Sequence, residues 1–319
     1  IRHLPGPTGF SIRPGDLTAE WTRRNALPGR CQTAHNSPNE RILAMKFGVC
    51  IPHYGRPIDA GSLTEMAIKA EEMGFDSILC PDTQNLSADP YGQLSLMADR
   101  TKKIKLGTGV THPVTRASAV TASAMASLQE ESGGRAICGI GRGDSSAAHI
   151  GKRQATTKEL RDCIQTIQSY LRGESIDVGT MQSPIRWIDP DLIPPVPMDV
   201  ACTGPKTIQM ACEVSERVSF AVGSAHERVS WAMDTALEHI EKIGRERDEI
   251  KIGAYINLIC DPNEEKAIGM ARMLAGLVAH FTAMKNAPID HLPPSLQKIS
   301  NSLQTEYDMK NHSSEAGEH

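Results

Sequence analysis

From residue 45 onward this chain alternates short apolar runs with amphipathic ones and leaves little between them. Seven runs have the length and apolar content of buried strands: residues 46–51, 77–80, 104–110, 135–140, 198–202, 218–222 and 251–259. Stretches with helical spacing follow them. Residues 156–172 set Leu160, Ile164, Ile167 and Leu171 on one face. Residues 62–74 open on the capping residue Ser62 and close on Gly74, and residues 227–244 place Val229, Met233, Leu237 and Ile240 along one side. Successive β–α units of this kind point to an α/β protein whose parallel sheet closes as a (β/α)8 TIM barrel.

Two regions break the alternation. Residues 174–195, with Ser175-Ile-Asp-Val-Gly-Thr180 and Pro184-Ile-Arg-Trp-Ile-Asp189, read as a small hairpin inserted after the fourth unit. After Pro262 come helix-like segments over 264–285, a loop at Pro293-Pro294 and a polar end over 311–319, with no eighth strand. Seven strands would leave two open sheet edges, which proteins normally avoid. Either the barrel domain over 45–319 is truncated before its last strand–helix unit, or another segment closes the gap. Residues 1–44 carry five prolines and no sustained period, and read as a disordered or non-native extension, with Met45 as the start of the gene product.

Composition narrows the function. A net charge of −4 without a basic stripe argues against a nucleic-acid partner. No apolar run reaches the roughly 18 residues of a membrane span, and the opening residues lack a secretory pattern, so a cytoplasmic location is expected. The eight cysteines include no Cys-x-x-Cys pair and fall mostly in apolar runs, as reduced core residues do. A metal-dependent barrel hydrolase would want a His-x-His pair after the first strand, where this chain has Pro52-His53-Tyr54, so no metal site is expected.

The chemistry-bearing residues fall at strand ends. Gly139-Ile-Gly141-Arg142-Gly143-Asp144-Ser145 links a strand-like run to a helix-like one. Glycines there let backbone N–H groups approach an anion, and Arg142 can add a forked pair of donors. A tight strand-to-loop turn with an exposed arginine is the competing reading.

Seven motifs, in order, resemble the bacterial-luciferase-like family of flavin and deazaflavin oxidoreductases, and within it the methylenetetrahydromethanopterin reductase-like branch. They are Met45-Lys-Phe-Gly-Val49, Ala70-Glu-Glu-Met-Gly-Phe-Asp76, Leu106-Gly-Thr-Gly-Val-Thr-His-Pro113, Leu128-Gln-Glu-Glu-Ser-Gly-Gly-Arg135, Gly139 to Ser145, Thr203-Gly-Pro-Lys206 and Ala221 to Trp231. The resemblance implies coenzyme F420 as cofactor, with FMN as the alternative, and hydride transfer to or from a small organic substrate. It also implies a non-prolyl cis peptide at Gly109–Val110 lying against the cofactor ring, and contacts from Asp82 and Thr111. Asp82, if buried, could act as a proton donor, or it could simply cap the Pro81-Asp82-Thr83 turn. His112 is expected to line the site with Asp82 as a catalytic pair, and His53 to be a loop histidine. Thr203, Gly204 and Lys206 open a helix, and with Gly141, Arg142, Gly143 and Asp144 they would bracket the cofactor phosphate. Glu216-Arg217 departs from the family's usual Asp-Gly, at a turn where a ligand contact would be expected. Family habit favours a homodimer. An FMN-dependent monooxygenase and an inert truncated barrel are the alternative functions.

Overall fold

The computed structural model describes residues 45–51, 60–271, 289–290 and 292–306. The N-terminal extension and His53 lie outside the described residues. Strands β1 (Gly48–Cys50), β2 (Ser77–Cys80), β3 (Lys105–Thr108), β4 (Ala136–Ile140), β7 (Met198–Cys202), β8 (Arg217–Phe220) and β9 (Lys251–Ala254) form one sheet in chain order, and every neighbouring pair is parallel. All seven expected strands are present, in the expected order.

The sheet curls as a barrel wall does. Lys105 on β3 and Lys251 on β9 are four strands apart, about 19 Å on a flat sheet at roughly 4.8 Å per strand, yet each lies within the other's electrostatic reach. Among the described residues no eighth strand pairs with β1 or β9.

Strand ends are shorter than the apolar runs. β3 ends at Thr108, and the next peptide, Gly109–Val110, is cis, as the resemblance implied, with Gly109 N still donating to Cys80 O at 2.7 Å. The insertion is a hairpin, but its strands are β5 (Ile176–Asp177) and β6 (Gln182–Ser183), so the second lies earlier than the 184–189 run suggested. Ile185 and Ile188 of that run pack instead against the barrel's outer helices, which is why the run is apolar.

Helices α1 (Ala60–Glu72), α2 (Pro90–Arg100), α3 (Ser118–Glu131), α4 (Ser145–Ala148), α5 (Thr157–Leu171), α6 (Pro205–Val214) and α7 (His226–Lys242) connect the strands. None of the described helices is long and apolar enough to cross a membrane. α5 starts with a capping box, Thr156 accepting from Glu159 N while Glu159 accepts from Thr156 N. Ser62 proves to lie inside α1 rather than to cap it. Gly74, at φ +85°, ends that helix as expected, with Phe75 N returning to Ala70 O at 3.0 Å. The buried stripe of α7 is Arg228, Ala232, Ala236 and Ile240; of the expected side, Ile240 is buried, Val229 and Met233 are half-buried against the core, and Leu237 is exposed, because the small alanines let the helix approach closely.

Apolar residues on the outer face of the sheet, such as Ile78, Leu106, Ile140, Val200 and Phe220, pack under Leu94, Met97, Met125, Ile164 and Ile208 from the helices. Five of the seven described cysteines belong to this buried layer, as free thiols. Burial pushes Cys80 up to about 12, which keeps it unreactive. On the inner face β3 and β4 carry glycines, Gly107 and Gly139. A Cβ on Gly107 would come 2.4 Å from Ile137 O, and one on Gly139 1.9 Å from Thr108 O, so β3 and β4 meet only because both are glycine.

The N-terminal end of the barrel is tied by ions. Arg135, 9% exposed, donates to Ser132 O, Thr101 Oγ1, Ile104 O, Ala98 O and Thr101 O at 2.7 to 3.0 Å, capping the end of α2. Glu216 accepts from Met198 N at 2.8 Å, and Arg217 Nε donates to the buried Asp199 at 3.1 Å. Both lie at strand starts, so this departure from the family pattern staples β7 to β8 and faces away from the C-terminal rim where barrel sites lie.

Glu71 accepts from the backbone N–H groups of Lys102, Lys103 and Ile104 at 2.6 to 3.0 Å. Burial alone would push its carboxyl up, but those bonds and Arg135 more than offset it and hold it below the usual range. Glu71→Gln is expected to cost about 1–2 kcal/mol in urea unfolding. A carboxyl held low in the fold stabilises above its unfolded value of 4.5 and ceases to as pH falls through the folded value, so the gap between wild type and variant should close below pH 4.5.

Candidate functional site

At the C-terminal rim, Asp82 follows β2, Thr111 and His112 follow β3, Gly141 to Asp144 follow β4, and Thr203 to Lys206 follow β7. β4 and β7 are neighbours, so the last two segments are adjacent. A Cβ on Gly141 would lie 3.0 Å from Val110 Cγ2 and 3.8 Å from Ala201 Cβ. The residues singled out in the sequence therefore share one rim.

Asp82, 3% exposed, is held from two sides. Its Oδ2 accepts from Thr111 Oγ1 at 2.7 Å and from Arg116 Nε at 2.8 Å, and its Oδ1 accepts from Arg116 Nη2 at 3.2 Å. Both oxygens are engaged as acceptors. Neither the turn-capping role nor a free proton-donating oxygen describes this geometry. Arg116 also binds Asp89 Oδ2 at 2.6 Å and stacks 4.5 Å over the Tyr91 ring, while Asp89 caps α2 by accepting from Tyr91 N and Gly92 N.

Thr111 is fully buried and sits between β3 and β4. Its N donates to Gly139 O and its O accepts from Gly141 N, each at 2.9 Å. The Gly141 amide is thus already spoken for within the protein. Its lack of a side chain serves close packing against Val110.

His112 is 2% exposed. Its Nε2 lies 3.3 Å from Thr115 Oγ1, and its Nδ1 is buried near the Asp82 main chain without a well-formed hydrogen bond among the described residues. Burial lowers its proton affinity first; the Asp82 charge and main chain act against that, and Arg116 adds to it, leaving the ring below the ordinary histidine value. The ring lies where a side chain on residue 143 would be: Gly143 has φ +76°, and a Cβ there would meet His112 Cγ and Nδ1 at 2.7 Å.

Arg142 is partly buried and donates from Nε to Ala155 O at 2.6 Å, while Ala155 N donates back to Arg142 O at 2.9 Å. This pair fastens the glycine loop to the segment before α5, so the arginine is neither freely exposed nor wholly committed. Asp144 stands at the start of the short α4. Across the rim, Gly204 is the N-cap of α6 with open space where a Cβ would be, and Lys206 is exposed with no ion pair to a described carboxylate.

Arg116, Asp89 and Tyr91 were missed in the sequence. The usable signal was a buried acid at Asp82, which demands a partner; which residue supplies it is set by the fold, 34 positions away. Among the described residues no cluster of His, Cys, Asp and Glu could hold a metal ion.

A model of the luciferase-like monooxygenase family matches residues 45–316. The chain is 34% identical over 223 residues to a 5,10-methylenetetrahydromethanopterin reductase of Methanolobus tindarius, covering 66% of this chain and 64% of that protein. It is 30% identical over 219 residues to the same enzyme of Archaeoglobus fulgidus, covering 66% and 63%. The chain therefore spans somewhat less than two thirds of the length of both relatives. Among solved structures it is similar to the coenzyme F420 dependent tetrahydromethanopterin reductase from Methanopyrus kandleri, with TM-score 0.64, 25% identity and coverage of 77% of this chain and 75% of that one.

Gly143→Ala is expected to displace the His112 ring and to cost about 1–3 kcal/mol, the usual range for a side chain forced into this backbone region. Thermal unfolding and the His112 NMR signal check both.

Proposed function

The chain belongs to the luciferase-like monooxygenase family, and from that premise we propose that it is a coenzyme F420-dependent oxidoreductase that exchanges a hydride with a small organic substrate, in the manner of a methylenetetrahydromethanopterin reductase. The observation that carries the reading is the chemical contrast across one rim. Lys206, without a described acid partner, stands at the open start of α6, and a buried His112 nitrogen without a well-formed bond stands beyond β4. That contrast fits a ligand with an anionic tail and a polar ring. Relatives that share the family are reductases of this kind, one of them F420-dependent by name.

In this reading Thr203, Gly204 and Lys206 hold the phosphate end, with Arg142, Gly143 and Asp144 closing on it from the neighbouring strand. Gly141 contributes close approach rather than an N–H. Gly109, Val110 and Thr111 form the wall behind the ring. When bound, the deazaflavin supplies the carbon that carries the hydride. The chain's own part is to orient the ring and to manage a proton beside it. Asp82, with both oxygens occupied, fixes Thr111; His112, whose proton affinity burial lowers and whose Nδ1 has no well-formed hydrogen bond, is the ring placed to hold or pass a proton at this rim.

FMN is the second candidate, because a flavin-dependent monooxygenase shares the fold: the FMN complex of an oxygenating component of 3,6-diketocamphane monooxygenase has TM-score 0.56 at 15% identity. Fluorescence titration of the full chain with each cofactor separates the two. F420 should bind, and Lys206→Ala should weaken it by about tenfold or more through loss of one charged contact. Preference for FMN would move the assignment to the monooxygenase. A folded chain that binds neither would sink the proposal and leave an inert barrel.

A further inference from the structure

The turn from Thr111 to Arg116 is held at both ends by one carboxylate. Thr111 Oγ1 binds Asp82 Oδ2 at one end, and at the other Arg116 grips both Asp82 oxygens. Arg116 is itself immobilised by Asp89 and by the face of Tyr91. His112 lies within this closed turn, its ring resting on Gly143. Three elements thus converge on Asp82: its own loop after β2, the turn after β3 and, through Asp89 and Tyr91, the start of α2.

We propose that Arg116 is the positioning residue of this rim: by gripping Asp82 in the orientation that binds Thr111, it fixes the turn that carries His112, without itself touching a ligand. Loss of the grip would free Asp82 to rotate and release Thr111, and the wall formed by Gly109, Val110 and Thr111 would loosen with it. The grip also has an electrostatic side. Among the described residues the charged groups that act on His112 are Asp82 and Arg116, with Asp89 and the neutral Tyr91 behind Arg116 on α2, Thr115 on Nε2, and Asp144 following Gly143 on the β4 loop. Removing the Arg116 charge takes away one influence that disfavours protonated His112 and leaves the Asp82 charge unopposed, so the ring should titrate at higher pH. The inference rests on the F420 reading for its meaning, yet the histidine readout needs no coenzyme.

The test uses the full chain as wild type, Arg116→Gln and Arg116→Lys. The His112 signal is assigned by its absence in His112→Gln and followed by NMR against pH, and F420 affinity is followed by fluorescence. Arg116→Gln should raise the His112 midpoint by about half to one pH unit and weaken F420 by about tenfold. Arg116→Lys should keep the midpoint near wild type, because the charge remains, while still weakening F420, because lysine lacks the rigid fork. An unchanged His112 midpoint in a folded Arg116→Gln overturns the inference. Should that variant fail to fold, wild-type F420 affinity in Arg116→Lys overturns it instead. If wild type binds no F420, the coenzyme reading fails, and the His112 midpoint alone decides the role of Arg116.

Discussion

The close approach of β3 and β4 sets the rest of the rim. With glycine at 107 and 139 the two strands come near enough that any side chain at either position would strike backbone oxygen. Thr108 exploits this closeness, its hydroxyl donating to Gly139 O at 2.6 Å. Because the strands run so tightly side by side, Thr111 still lies against Ile140 after the ladder of β3 has ended, and it keeps Gly141 in place through its carbonyl. The buried threonine and the placing of the glycine loop after β4 therefore follow from one packing condition, in which dispersion contacts and strand hydrogen bonds replace the missing side chains.

Buried charge is divided between the two ends of the barrel. At the strand starts, Arg135 is held by carbonyls and a hydroxyl, Glu71 by amides, and Arg217 by Asp199 Oδ2, while Asp199 Oδ1 is buried without a hydrogen bond among the described residues. At the strand ends Asp82 and Arg116 are matched, while His112 Nδ1 and Tyr91 Oη are buried without a well-formed hydrogen bond among the described residues.

How much of this could be read from the residues depends on whether a property is local. Strand order and the rim location of the glycine and Thr-Gly-Pro-Lys motifs follow from periodicity and from the rule that barrel sites lie at strand ends, so they were legible. Boundaries were less so: the apolar run at 184–189 packs under helices rather than pairing, and α7 buries its alanines because tertiary approach distance outweighs side-chain hydrophobicity. The Glu216-Arg217 departure pointed to a ligand contact only through the family resemblance; its place at the start of a strand already set it at the end away from the rim. Arg116 was out of reach. Its partner is 34 residues away, and nothing in its own neighbourhood distinguishes it from an exposed loop arginine.

The buried thiols carry a practical corollary. Cys80, Cys138, Cys163, Cys202 and Cys212 are distributed through the hydrophobic layer on β2, β4, α5, β7 and α6, and none is joined to another. Each is shielded from alkylating reagents while its own part of the layer stays shut. The chain thus comes supplied with internal clocks: the rate at which each sulfur reacts records how often that layer of the barrel wall opens, strand by strand, with no label introduced.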